Sequence, residues 1–371
     1  MPAMAAREYD VVFVGGGLAA ALLLKELRAE LTGRVAVIDP RPPPERPLVH
    51  LSYWSRDRTL YDRFAIGTWR RARVTNMPPQ PIAPFALRLV RSTDVFAHVD
   101  ALSRSVPLQW LRAEARSIAR RGDDLYEVST DAGTVFARWV FDSAVEIPPT
   151  FPSPNQLRAV LSGTGIRVTA DRPAFDAATA TLFDPLDELS FAYLLPLSPT
   201  EALLESASFG PVVRQEDKRP LLRYLRERHS EVRFTVTHSE WGSIPLGFAP
   251  SQTAGPRHVL IGAKRGLIKP SAGYGVVRIA KESENLARLW REHRPLPPSR
   301  QTARLWRLLD KGFLELAVQD PRLPMELLHR VMHAAPLIQS LRFIDEELAP
   351  RELAALLPVV LPLVLGKHAG R

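Results

Sequence analysis

The residues of this chain with the most legible chemistry are glycines. The run Gly15-Gly16-Gly17-Leu18-Ala19-Ala20 fits G-x-G-x-x-G/A, a spacing suited to holding the pyrophosphate of a dinucleotide. Glycine at 15 permits a tight turn, glycine at 17 lets the pyrophosphate approach the backbone, and a small residue at 20 lets a helix pack close to a sheet. Asp39 follows Gly17 by 22 residues. An acid there accepts hydrogen bonds from both ribose hydroxyls and would repel a 2′-phosphate. The candidate binding residues are therefore Gly15, Gly16, Gly17, Leu18, Ala19 and Asp39, and their spacing does not choose among the dinucleotides.

These residues need a strand, a turn, a helix and a second strand to hold them. Val11 to Val14 is a short apolar run, Leu18 to about Leu31 has helical apolar spacing, and Arg34 to Ile38 reads as the second strand. The proline-rich stretch Pro40 to Pro47 ends this βαβ unit, since proline lacks an amide donor and disfavours helix in the residue before it. The segment carrying Tyr53, Trp54, Tyr61 and Trp69 reads as aromatic and irregular. Ser92 to Leu102 predicts a helix, and 113–120, 125–130 and 134–142 predict a small inserted sheet.

From Gly165 to about Ile244 the pattern is mostly strand, with a hairpin at Ser198-Pro199-Thr200 and one helix near Arg219 to Arg228. A strand at His258 to Gly262 and a helix from about Gly275 to Trp290 follow, and Arg300 to Leu365 reads as helical. The expected division is a discontinuous nucleotide-binding domain (1–150 plus 256–295), a β-rich substrate lobe (151–255) and a helical C-terminal region (296–371).

Composition narrows the function. With 371 residues, 46% hydrophobic and 24% charged, the chain is long enough for two lobes and has ordinary globular proportions. The net charge of +9 is scattered, apart from short clusters such as Arg70, Arg71 and Arg73, and no nucleic-acid module accompanies it, so nucleic acid is not an expected partner. The absence of cysteine excludes disulfides, thiolate zinc sites and cysteine nucleophiles. The nine histidines show no metal-ligand spacing, and no metal is expected. The N-terminus reads without a secretory signal, which makes the cytoplasm the expected compartment. The longest apolar stretch, Leu353 to Leu365, contains Pro358 and Pro362 and falls short of the ~20 residues that span a bilayer, leaving core packing or contact with a membrane surface.

Near the far end, Leu260-Ile261-Gly262-Ala263 leads to Pro270-Ser271-Ala272-Gly273-Tyr274-Gly275 and then to a helix. This arrangement resembles the second flavin-binding segment of the p-hydroxybenzoate hydroxylase-like flavoproteins, and the resemblance implies FAD, with Gly262, Pro270, Gly273, Tyr274 and Gly275 as further cofactor residues. Ala263 stands where that segment usually has aspartate. The partial positive charge of the helix N-terminus would favour an anionic reduced flavin. The fold class that follows is α/β: a Rossmann-type FAD-binding fold of the p-hydroxybenzoate hydroxylase-like kind, with a mostly antiparallel substrate lobe and a helical C-terminus.

The whole chain, further, resembles the FAD-dependent lycopene cyclase family. The resemblance rests on Tyr53-Trp54-Ser55, Ser190 to Phe209, Gly242-Ser243-Ile244-Pro245, Gly266 to Tyr274 and Phe343-Ile344-Asp345-Glu346. It implies a redox-neutral reaction in which an acid protonates a terminal alkene, a neighbouring double bond attacks the cation, and proton loss completes the ring. Reduced FAD is required and NADPH reduces it. Glu205 matches the first acid of the family's catalytic motif, while Ser206 and Ala207 stand in place of its second acid and threonine. Asp142-Ser143-Ala144-Val145 replaces D-G-R-G. Asp184 falls near a second acidic motif.

Such chemistry needs a protonated carboxyl in an apolar cavity and electron-rich rings near the cation. Glu205, assisted by Asp184, is the expected acid, Tyr53 and Trp54 are the expected substrate contacts, and Asp345 and Glu346 are expected to be structural. The expected substrate is a long apolar isoprenoid such as lycopene, taken at the surface of the cytoplasmic membrane. The alternatives are a flavin monooxygenase or reductase on another apolar substrate, and a non-catalytic isoprenoid-binding protein.

Overall fold

The structure is a computed structural model that describes residues 7–42, 45–56, 59–145, 158–247, 253–297 and 304–365. Pro43 and Pro44 of the proline-rich stretch, the 150/151 domain boundary and 300–303 at the start of the helical region lie outside the described residues. The N-terminal βαβ unit forms as its pattern requires. Arg7–Val14 and Val35–Ile38 pair in parallel around the helix Leu18–Leu27. Leu108–Leu111, Gly133–Asp142 and His258–Leu260 extend the parallel sheet, and Tyr126–Thr130 and Ala115–Arg120 add an antiparallel wing. Leu22, Leu23 and Leu27 pack with Val11, Phe13 and Val37 and with Leu286 and Leu289 of the helix Val276–Arg291. Each such buried side chain stabilises the fold by roughly 1.5–3 kcal/mol.

A second sheet has the strand order Phe234–Gly247, Arg158–Ala170, Glu201–Gly210, Phe191–Ser198, Thr179–Pro185, Arg71–Val74 and Gln80–Pro81. Its last two strands come from the N-terminal third, so the β-rich lobe is not confined to 151–255. Strand pairing joins segments by register rather than by closeness in sequence.

The aromatic segment is also more regular than it reads. His50–Ser55, Ala65–Trp69 and Ala86–Arg91 form a three-stranded sheet, with Tyr53, Tyr61 and Trp69 almost fully buried. Several of its strand positions are buried on both sides, which erases the alternation that marks a half-exposed strand.

The two faces of the second sheet have different partners. Leu161, Leu195, Leu203 and Phe209 pack against Leu309, Phe313, Leu328 and Leu341 of the C-terminal helices. Ile166, Val168, Leu194 and Leu204 on the other face pack against Leu221, Tyr224 and Leu225 of the helix Arg219–Arg228. The apolar tail forms the helix Pro350–Leu365, one face of which, with Leu353, Leu356 and Val360, packs in the first of these cores. Among the described residues no helix is long and apolar enough to cross a membrane.

Candidate active site

The glycine turn opens onto a cleft of about 680 Å3 lined by Gly15, Gly17, Asp39, Ser143, Ala144, Ala263 and Lys264. Gly15 has φ +80, and a Cβ there would lie 2.7 Å from Ser143 Oγ. Side chains disfavour that backbone region, so the turn requires glycine. Gly17 caps the helix Leu18–Leu27, and a Cβ on it would meet no protein atom within 4 Å. The space that Gly17 leaves open is therefore in the cleft and not in the core. Asp39 accepts from Gly16 N at 2.7 Å, Arg41 N at 2.8 Å and Arg46 at 3.2 Å.

Gly16 faces Arg46 and Trp110, while Leu18 and Ala19 pack into the core. These three support the turn without lining the cleft. Asp142, kept from the altered D-G-R-G, accepts from His258 at 3.1 Å and Lys264 at 2.5 Å. Ala263 also lines the cleft, so no carboxylate reaches it from that turn.

A second cavity of about 310 Å3 lies between the second sheet and the loop before the helix Val276–Arg291. The loop contributes Ala272, Gly273, Tyr274 and Gly275, the sheet contributes Leu161, Gly163, Gly165, Tyr193, Glu205, Ala207 and Glu240, and His50 and Ser52 close one side. Gly273, at φ +69, brings the loop against the sheet, and a Cβ there would lie 2.2 Å from Leu161 Cδ2. Gly262 and Pro270 are buried in the turns that hold this loop and do not line the cavity. Beneath it, Lys269 is buried between Asp310 at 2.5 Å and Glu346 at 2.9 Å, which pins the loop to the C-terminal helices.

Glu205 sits in this cavity because of strand register. Tyr193, Glu205, Gly165 and Glu240 are consecutive partners across four strands and so share one face. Gly165 separates the two acids, and a Cβ on it would lie 2.8 Å from Glu240 Cγ. Its bare backbone lets the carboxyl groups meet over the middle strand. Burial, followed by the charge of Glu240 and a hydrogen bond with it, pushes the Glu205 carboxyl up to about 8. Desolvation raises the Tyr193 and Tyr274 hydroxyls above their ordinary range. The arrangement can therefore hold an acidic proton at neutral pH inside a cavity walled largely by glycine and apolar groups.

Asp184 is not part of this group. It pairs with Ala192, whose side chain belongs to the opposite face, and accepts from Thr75, from Tyr224 at 2.6 Å and from Arg228 at 2.9 Å. Ser206 also points away from Glu205, with its Oγ toward Thr164 O at 3.3 Å, because adjacent residues of a strand alternate faces. A second acid at 206 would have faced away from Glu205.

The expected substrate aromatics are likewise placed elsewhere. Tyr53 is 1% exposed and its hydroxyl meets Thr59 and Asp62. Trp54 donates its indole N–H to Asp345 at 2.8 Å and packs on Tyr274 with ring centroids 4.0 Å apart. It buttresses the cavity wall from behind, and it is His50 and Ser52 of the same strand that reach the cavity. Burial pushes the Asp345 carboxyl up to about 7.

Sequence reasoning missed Glu240, His50 and Gly165. Glu240 lies two residues before the Gly242-Ser243-Ile244-Pro245 run, which was the available signal. His50, His238 and Glu240 gather with potential ligand atoms within 4.8 Å of one another, a convergence that spacing along the chain does not show.

The model of the lycopene cyclase protein family matches residues 10–363. The chain belongs to that family. No curated protein sequence matches it significantly. Among solved structures, the chain resembles a geranylgeranyl bacteriochlorophyll reductase-like protein from Thermoplasma acidophilum (14% identity, TM-score 0.61, covering 96% of this chain and 100% of that one). It also resembles a flavoprotein/dehydrogenase from Cytophaga hutchinsonii (12%, 0.62, 98% and 100%) and the halogenase PltM in complex with phloroglucinol and FAD (14%, 0.54, 91% and 82%). At these identities the likeness establishes the fold, which is the Rossmann-type fold of FAD-binding proteins.

Proposed function

We propose that this member of the family catalyses the flavin-dependent, redox-neutral cyclisation of the ends of a long isoprenoid such as lycopene. The observation that carries the reading is Glu205, an acid held protonated at neutral pH by burial and by a second carboxylate, inside a cavity that borders the Gly273-Tyr274-Gly275 turn. A carboxyl pushed up to about 8 is matched to protonating an alkene near neutral pH. The Glu205 O–H bond breaks as a C–H bond forms, a neighbouring double bond closes the ring, and loss of a proton from carbon returns the cavity to its starting protonation. Tyr193 and Tyr274 border the same cavity, and an aromatic ring beside a cation formed there would stabilise it.

The cleft fits FAD. Gly17 leaves open space at the turn, Gly15 and Asp39 line the same wall, and the volume suits a large cofactor. When bound, reduced FAD would supply an anionic, electron-rich partner to the cation without being consumed, and NADPH is the proposed reductant. The residues that would hold it are Gly15, Gly17 and Asp39, together with the N-terminus of the helix that follows Gly275. The net charge of +9 and the exposed Trp241 and Ile244 beside the cavity support substrate uptake at the surface of the cytoplasmic membrane.

The test is incubation of the protein with reduced FAD and lycopene, followed by chromatography and mass spectrometry. A product of altered retention and unchanged mass supports cyclisation. A product changed by hydrogen or oxygen supports a flavin reductase or monooxygenase instead. Glu205→Gln should lower turnover by about 10²–10⁴-fold with flavin content retained, the span usual for general acid catalysis.

A further inference from the structure

Glu240 is held more tightly than a strand-surface carboxylate needs to be. Its Oε2 accepts from the His50 backbone N–H at 3.0 Å and faces His50 Nδ1 at 2.9 Å. Both side chains are buried, His50 at 0% and Glu240 at 8% exposure. Against a carboxylate, Nδ1 carries the ring proton, and His50 Nε2 is buried without a hydrogen-bond partner. His238 Nε2 stands 3.5 Å from the same Oε2, beyond hydrogen-bond reach. The other oxygen, Oε1, lies toward Gly165, 3.1 Å from where a Cβ would be, on the side of Glu205. One oxygen is thus clamped by donors and the other is left to the neighbouring acid.

We propose that Glu240, clamped by His50 across the gap left by Gly165, is a positioning carboxylate that assigns the single proton of the pair to Glu205. The proposal rests on the reading of Glu205 as the acid. Two carboxyl groups in contact do not ionise together, and the donors they meet decide which one stays charged. The donors at Glu240 are the His50 backbone N–H and the His50 ring. The other groups facing the pair are Tyr193 on the adjacent strand, Tyr274 on the loop and His238 two residues along, while Arg167 in the next row is taken up by Glu201 at 2.8 Å. The second carboxylate of the site therefore comes from the strand Phe234–Gly247, and the serine at 206 takes nothing from it.

During turnover the pair gives its proton to the alkene from Glu205 and recovers one from carbon after ring closure. Glu240 meanwhile keeps its charge, its hydrogen bonds and its place. No oxidant or reductant enters this balance.

The experiment follows protonation directly, apart from activity. FAD-loaded protein carrying ¹³C-labelled glutamate side chains is titrated by isotope-edited infrared or carbon NMR spectroscopy. Wild type should show a protonated glutamate at neutral pH that is missing from Glu205→Gln. In Glu240→Gln that carboxyl should lose its proton at a pH at least one unit lower, because the neighbouring charge is gone. Gly165→Ala, which displaces Glu240, should act in the same direction and serves where Glu240→Gln does not fold. His50→Phe removes the ring donor and should shift the titration upward, and His50→Asn, which restores an N–H near the position of Nδ1, should return it toward wild type.

An unmoved titration in both Glu240→Gln and Gly165→Ala overturns the proposal. So does a stoichiometric metal in the wild type that His238→Ala removes, since the cluster would then be a metal site. If the titrations shift as stated but no cyclised product forms, the assignment of the proton stands and the proposed reaction falls.

Discussion

Glu205→Gln should change how stability depends on pH more than it changes stability itself. In the fold Glu205 is pushed up to about 8, from 4.5 in the free side chain. A raised carboxyl binds its proton more tightly when folded than when unfolded, so its contribution is fully present below pH 4.5 and is lost as pH rises through about 8. Within that window the wild type should lose up to about 1.4 kcal/mol of stability per pH unit from this group, to a total of at most about 5 kcal/mol. Glutamine resembles the protonated acid in shape and keeps a donor toward Glu240, but it does not titrate. Urea unfolding of FAD-loaded wild type and variant at pH 5, 6.5, 8 and 9 is the assay. The wild type should be the more stable or equal at pH 5 and should fall relative to the variant as pH rises. Parallel pH dependences in the two proteins would show that Glu205 titrates in the fold as it does in the unfolded chain, and the reasoning from burial and from Glu240 would fail.

Three other outcomes are expected. Gly17→Val should abolish FAD retention, read from flavin absorbance after desalting, while leaving the melting temperature of the FAD-free protein within a few degrees, because its side chain projects into the cleft and not into the core. Asp39→Ala should weaken FAD binding by roughly 1.5–3 kcal/mol in a fluorescence titration, the loss expected for a charge-assisted hydrogen bond to ribose; unchanged affinity would remove Asp39 from the site. Asp184→Asn should destabilise the fold by about 1–3 kcal/mol, since the charged acceptor shared by Thr75, Tyr224 and Arg228 is replaced by an amide, with little change in turnover per folded molecule. A large loss of turnover without loss of stability would return Asp184 to the chemistry.

What local sequence determined about this protein is what short-range physics can encode. The glycine turn, the acid at position 39, the parallel strands around Leu18–Leu27, the hairpin at Ser198-Pro199-Thr200 and the helix Arg219–Arg228 all follow from spacings of a few residues, although the first strand starts four residues earlier, at Arg7, and the first helix ends at Leu27 rather than near Leu31. Family motifs added Glu205. Only the tertiary structure decided what surrounds that acid. Whether a strand residue points to one face or the other depends on register with strands far away in sequence, so Glu205 and Asp184, both acids of the same lobe, stand on opposite faces of one sheet. The same register places Gly165 between two glutamates, and the separate three-stranded sheet brings His50 to Glu240 across 190 residues. It also turns Tyr53 into the core and sets Trp54 behind the cavity wall. A linear pattern marks which residues are able to carry a proton, and the long-range pairing of strands, which closes only when the whole sheet forms, selects the one that faces a second carboxylate across Gly165.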